Sequence, residues 1–306
     1  MEFEEMLKQV MDFEHDLHRY NYNNAFQEFS FSRGLKNYQN IIKRLKSINL
    51  PDPNTFKYTT LSLDELKEYL TTILNKIFSS KYSNIIEEYH QMISLEPISN
   101  PFDAILEKEI IDDTAIIKKF HLSSKLASIE VAATAHEYIH ALLAKYTTFK
   151  FNDILSNIHY NELLSILIEY ITIYELSKIL KKDQLTEKHN IIRIHNCQEQ
   201  AISDEENHFL LPKLKKRLSF DPFVSDGIDK SLSYSSHNSF GYIISDIYAY
   251  QLFNFYLDDP KTLINIFTAI IDGENSIDNL LKYYNISLRN KDLVADYTKR
   301  LAKLSN

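Results

Sequence analysis

Four glycines and seven prolines are spread over 306 residues. A backbone with so few turn-makers closes few tight hairpins, because Gly supplies left-handed conformations and Pro a pre-set φ. Collagen, glycine-rich phosphate loops and most turn-dense β architectures are excluded on that ground. Apolar residues instead recur three and four apart. Ser62 and Glu65 form a capping box, and Leu66, Tyr69, Leu70, Ile73, Leu74, Ile77 and Phe78 follow at helical spacing. Asp259-Pro260 is a second helix start, and Asn290 precedes an amphipathic stretch from Asp292 to Leu304. The breakers are Pro51-Asp52-Pro53-Asn54, Glu96-Pro97 with Asn100-Pro101, Leu211-Pro212, Phe220-Asp221-Pro222 and Asp258-Asp259-Pro260. The best strand candidates are Phe120-His121-Leu122 and Thr147 to Phe151. The expected fold is all-α, predominantly helical, with at most a small β element near the functional site. Residues 1–100 are expected to form an amino-terminal helical region and residues 101–306 a helical region carrying the chemistry.

Hydrophobic residues at 44% and charged residues at 25% are ordinary for a globular chain and argue against disorder. The formal charge of −8 is the wrong sign for a chain that lives on nucleic acid. A single cysteine, Cys197, forms no internal disulfide, so a reducing compartment is favoured. The amino terminus, MEFEEMLKQVMDFEHD, is acidic and lacks the apolar run of a secretory signal. The most apolar stretch, Leu163 to Leu180, is interrupted by Glu169, Glu175 and Lys178, so no membrane span is expected. The expected address is the cytoplasm, with export lacking a cleavable signal left open.

Residues 136–140 read His-Glu-Tyr-Ile-His. Four residues along a helix turn about 400°, which puts His136 and His140 on one face, one turn apart. Two imidazoles so placed suit two corners of a tetrahedral Zn²⁺ site. Glu137 is rotated about 100° from His136 and can stand beside the ion as a general base. Ser128 is a candidate cap, and Ile129 to Tyr146 contains neither Gly nor Pro. A catalytic zinc needs a third protein ligand. Glu162 and Glu169, seven apart on one face of an apolar helix, are the candidates, with His159 competing.

HEYIHALL, followed by Glu162 twenty-two positions after His140 in the frame Glu-x-x-Ser-x-x-x-Glu, resembles the thimet oligopeptidase and oligoendopeptidase F family of zinc peptidases. Ser128-Ile129-Glu130-Val131 is similar to the family's lead-in. The resemblance implies a zincin-like helical fold with one Zn²⁺ held by His136, His140 and Glu162. It implies Glu137 as the catalytic base and Glu169 as a carboxylate orienting a ligand histidine. The family also carries a histidine followed by tyrosines that enter the active site. His237 and Tyr242 match that spacing, and Tyr248 and Tyr250 match it with one residue inserted. The implied role of these groups is to bind the oxyanion of the attacked carbonyl. The match covers about residues 125–255. It departs from the family at Ile139, where Gly is usual, at Leu164, where some members have Pro, and at Gly241, where a glycine pair is expected. The chain is also far shorter than typical members.

The other chemistry-bearing residues read as structural. Cys197 is expected to be a packed or exposed free thiol, and His15 and His18 part of a solvated face. Lys213, Lys215, Lys216 and Arg217 read as a solvated helix face, and Asp204-Glu205-Glu206 as a solvated turn. The expected function is a zinc-dependent metallopeptidase acting on peptides or one dedicated protein, with neither nucleic acid nor membrane as partner. The alternative is a non-enzymatic helical interaction protein with a structural or vestigial zinc site, its 20 Tyr and 18 Phe forming a binding surface.

Overall fold

A computed structural model describes residues 32–96, 104–111, 114–146, 158–218 and 242–304. Helix α1 spans Ser32–Ser47, and a 3₁₀ turn at Pro53–Thr55 leads to α2 (Leu63–Ile77) and α3 (Ser83–Gln91). Strands β1 (Ile93–Glu96), β2 (Ile105–Ile111) and β3 (Thr114–Ser123) follow. Then come α4 (Glu130–Tyr146), α5 (Ile158–Leu180), α6 (Gln184–Leu218) and α7, described over 242–258. Helices α8 (Pro260–Ile271), α9 (Ile277–Tyr283) and α10 (Lys291–Leu304) complete the order. Among the described residues the protein is predominantly helical with one small three-stranded sheet.

The start signals act as their chemistry dictates. Ser62 Oγ accepts the Glu65 N–H at 3.2 Å, and Glu65 Oε2 accepts the Ser62 N–H at 2.7 Å, so two orphan donors are met at the head of α2. Asp259 Oδ1 accepts the Thr262 N–H at 3.1 Å ahead of Pro260. Two expectations are corrected. Leu211-Pro212 does not end a helix, because α6 continues through it to Leu218. A proline removes one N–H from the ladder, and turns on both sides of it can hold the helix together. Residues 204–206 are helical rather than a turn for the same continuity.

The sheet has the order β1-β3-β2. β1 runs parallel to β3, pairing Ile93 with Phe120 and Leu95 with Leu122. β2 runs antiparallel to β3, with a register irregularity between Glu107 and Lys108. Phe120-His121-Leu122 therefore lies in a strand, as expected, while Thr147 to Phe151 falls outside the described residues. Phe120 and Leu122 are buried, and Phe120 meets Tyr138 of α4 edge-on at 4.7 Å between ring centroids. The sheet thus braces the helix that carries the His-Glu-x-x-His run.

α5 is apolar over most of its surface, and the structure shows why: Leu164, Ile166, Leu167, Ile168 and Ile171 are fully buried. It packs along α4 and against α2 and α6 in one hydrophobic core that also takes in Leu66, Leu70 and Ile73 of α2. Among the described residues no helix is long and apolar enough to cross a membrane.

Candidate metal centre

α4 positions His136, Glu137 and His140. Its Ala132, Ala135, Ile139, Leu142 and Leu143 are buried, which fixes the rotation of the helix and turns the two histidines to one side. At the start of α4, Glu130 Oε2 accepts the Ala127 N–H at 2.7 Å. The imidazole Nε2 atoms of His136 and His140 lie 2.9 Å apart. Glu162, near the start of α5, brings Oε2 to 3.5 Å from His136 Nε2 and Oε1 to 3.5 Å from His140 Nε2. Ligand atoms of His136, His140 and Glu162 all fall within 4.8 Å of one another, so these three could hold a metal ion.

One heptad further along α5, Glu169 faces the same histidine from behind. Its Oε1 lies 2.5 Å from His136 Nδ1. A carboxylate can only accept, so Nδ1 carries the proton, and Nε2 has a lone pair for the cluster whenever the ring is neutral. Glu169 Oε2 accepts from His189 Nε2 at 3.0 Å, and Arg193 Nη1 lies 3.4 Å from Oε1. Burial alone would raise the Glu169 carboxyl, but Arg193, His136 and His189 hold it well below the usual carboxylate range. Burial likewise opposes ionisation of Glu162, and the two histidines with Arg193 overcome it, bringing its pKa to about 2. His136 is disfavoured as a cation by burial, yet Glu169, Glu162 and Glu137 outweigh that and lift it to about 9. Glu137 moves the other way: burial raises its carboxyl against the pull of both histidines. The result is three carboxylates in one site with different basicities, set by their surroundings.

His136, Glu137, Glu162, Glu169, His189 and Arg193 line a cavity of about 160 Å³. Glu137, Glu162, Glu169, Arg193 and Tyr242 form its polar wall, and Ala104, just ahead of β2, closes one side. Tyr242, at the start of the described part of α7, accepts a hydrogen bond from Arg193 Nη1. Tyr248 and Tyr250 are not among the residues lining the cavity. The Tyr248 phenol oxygen accepts the Leu288 N–H at 3.2 Å inside the core. The Tyr250 ring lies under the Arg300 guanidinium at 4.1 Å. Of these three tyrosines, Tyr242 alone lines the cavity, because α7 carries its next turns into the core. His237 and His159's side chain lie outside what is described, as do His15 and His18. Cys197 is a fully buried free thiol, pushed well above its ordinary pKa by that burial.

Sequence reasoning missed His189, Arg193 and Asp246. Asp246 is fully buried on α7 and accepts from Tyr170, Tyr297, Arg193 and Arg300, at 2.7 to 3.2 Å. The available signal was an acid inside the apolar run Ile243 to Tyr250, which no local partner satisfies. His189 and Arg193 stand one helical turn apart on α6, a spacing that surface helices share.

No family model matches the chain, and no curated protein matches it. Solved structures do. One titled PZ peptidase A with inhibitor 2 matches at a TM-score of 0.55 and 13% identity, covering 81% of this chain and 50% of that one. A protein assigned as an oligoendopeptidase F from Bacillus anthracis str. Ames matches at 0.52 and 13%, covering 93% and 56%. A further structure assigned as an oligoendopeptidase F matches at 0.57 and 13%, covering 95% and 58%. The chain spans about half the length of each, and at this identity the likeness establishes the fold alone.

Proposed function

We propose that the chain is a zinc-dependent peptidase that hydrolyses peptide bonds in oligopeptides or in a protein substrate. The observation that carries this reading is the convergence of His136, His140 and Glu162 beside Glu137, in a fold shared with solved peptidases. Two imidazole nitrogens and one carboxylate oxygen are a zinc donor set that leaves room for solvent or substrate. The contact of Glu169 with His136 Nδ1 adds the outer carboxylate that such ligand histidines usually have. When bound, Zn²⁺ would supply Lewis acidity and lower the pKa of water at the site.

The chain's own residues do the rest. Glu137, made more basic by burial, takes the proton of the attacking water and delivers it to the leaving amine. Tyr242, held by Arg193 in the cavity wall, donates toward the carbonyl oxygen as it gains charge. Glu169 keeps His136 in one tautomer and orientation. The test is metal analysis of the purified chain together with cleavage of a mixed peptide library with and without chelator. Zinc near one per chain and chelator-sensitive cleavage support the reading. Zinc without any cleavage, on peptides or folded proteins, would leave the interaction-protein alternative.

A further inference from the structure

Away from the metal cluster, a larger cavity of about 430 Å³ opens between the segment around residues 57–59 and the α5–α6 turn. Four lysines line it: Lys57, Lys181, Lys182 and Lys188. The chain as a whole carries eight more acidic than basic charges, so four cations around one hollow run against its composition. None of the four forms an ion pair with a carboxylate among the described residues. Among the described residues Asp183 is the only acid in the lining. Burial, with a smaller part from Glu130, raises the Tyr58 phenol; Glu130 Oε2 accepts the Ala127 N–H, and Glu130 forms no ion pair with any of the four lysines.

Two of the ammonium groups are held in place. Lys182 Nζ donates to Thr59 Oγ1 at 2.6 Å, and Lys188 Nζ donates to the Lys57 carbonyl at 2.9 Å while lying 5.6 Å from the Tyr58 ring centroid. Each ammonium has three protons and these bonds use one. Gathering four like charges costs repulsion that an anion in the hollow would relieve. The amino-terminal end of α6 opens on the same space through Gln184 and Leu185, and its dipole favours negative charge there. Among the described residues the lining holds no arginine, whose planar fork suits a carboxylate; lysines act as point charges suited to a phosphate.

We propose that this cavity is a binding site for a phosphate-bearing ligand, separate from the metal cluster. The phosphate belongs to a soluble molecule or to a lipid headgroup, and the experiment tells the two apart. Calorimetric titration of the full chain with pyrophosphate at low salt is expected to give saturable binding. The variant Lys182→Gln/Lys188→Gln is expected to weaken it by about tenfold or more. Lys57→Gln/Lys181→Gln, at two exposed side chains with no hydrogen bond to lose among the described contacts, should do the same with folding untouched. Glu162→Ala should leave it unchanged, which separates this site from an anion held by metal. Lysine-dependent sedimentation with phosphatidylinositol phosphate vesicles, but not with phosphatidylcholine, assigns the phosphate to a lipid. Pyrophosphate binding without sedimentation assigns it to a soluble ligand. The proposal fails if the native chain shows no saturable binding, if both lysine pairs can be replaced without loss, or if citrate binds as well as pyrophosphate.

Discussion

Glu137 and Glu162 stand within one cavity and are expected to fail differently when replaced. Glu137→Gln removes the proposed base and leaves the proposed donor set, so zinc content should stay intact while peptide cleavage falls by about 10²–10⁴-fold. Glu162→Ala removes a donor oxygen and should lower zinc stoichiometry in the purified protein. Glu169→Ala should keep the metal but bind it about 10–100-fold more weakly, since it acts through His136. Full loss of metal in Glu169→Ala, with stoichiometry kept in Glu162→Ala, would reverse the ligand assignment. Glu130 offers a pH test clear of the cluster. It is 1% exposed, and burial pushes its carboxyl up to about 7 despite the Ala127 N–H. The folded chain then holds a proton that the unfolded chain releases in the ordinary carboxylate range. Stability is therefore highest below that range and falls as pH rises to about 7, by up to about 3 kcal/mol. Urea midpoints measured across that window should slope downward in the native chain and flatten in Glu130→Gln.

At the scale of elements, the histidine pair was legible because its spacing is a local property of a helix. The capping box at Ser62 and the Asp259-Pro260 start were legible for the same reason: donor and acceptor sit three residues apart. Pro212 misled because breaker rules weigh one residue against its neighbours, and a 35-residue helix can carry one missing bond. Asp246 lay beyond such rules. It ties α7 to Tyr170 of α5, Arg193 of α6, and Tyr297 and Arg300 of α10, and none of these is near it in the chain. Asp246→Asn leaves two buried guanidiniums short of a counter-charge, and a loss of about 3 kcal/mol in unfolding free energy is expected. A urea midpoint unchanged from the native protein would mean the network contributes little.

For the whole molecule, the site is a contact between helices rather than a property of one. α4 supplies two histidines, α5 two glutamates and α6 the histidine and arginine that hold Glu169. A ligand that bridges α4 and α5 binds the folded chain alone and so stabilises it. Removing metal by chelation is expected to lower the thermal midpoint by about 5 °C, and Glu162→Ala to abolish the difference. Equal midpoints with and without chelator in the native chain would argue against zinc bridging the two helices.

The order of amino acids alone was enough for the helical class, several helix starts and the one-sided pairing of His136 with His140, all of which depend on separations of three or four residues. Folding in space was needed to bring Glu162 across to that pair, to give Glu169 its buried partners and to send Tyr248 and Tyr250 into the core while Tyr242 stayed at the cavity. The physical reason is range. Helix geometry repeats within one turn and can be read along the chain, whereas burial and long-range charge pairing depend on which surfaces meet.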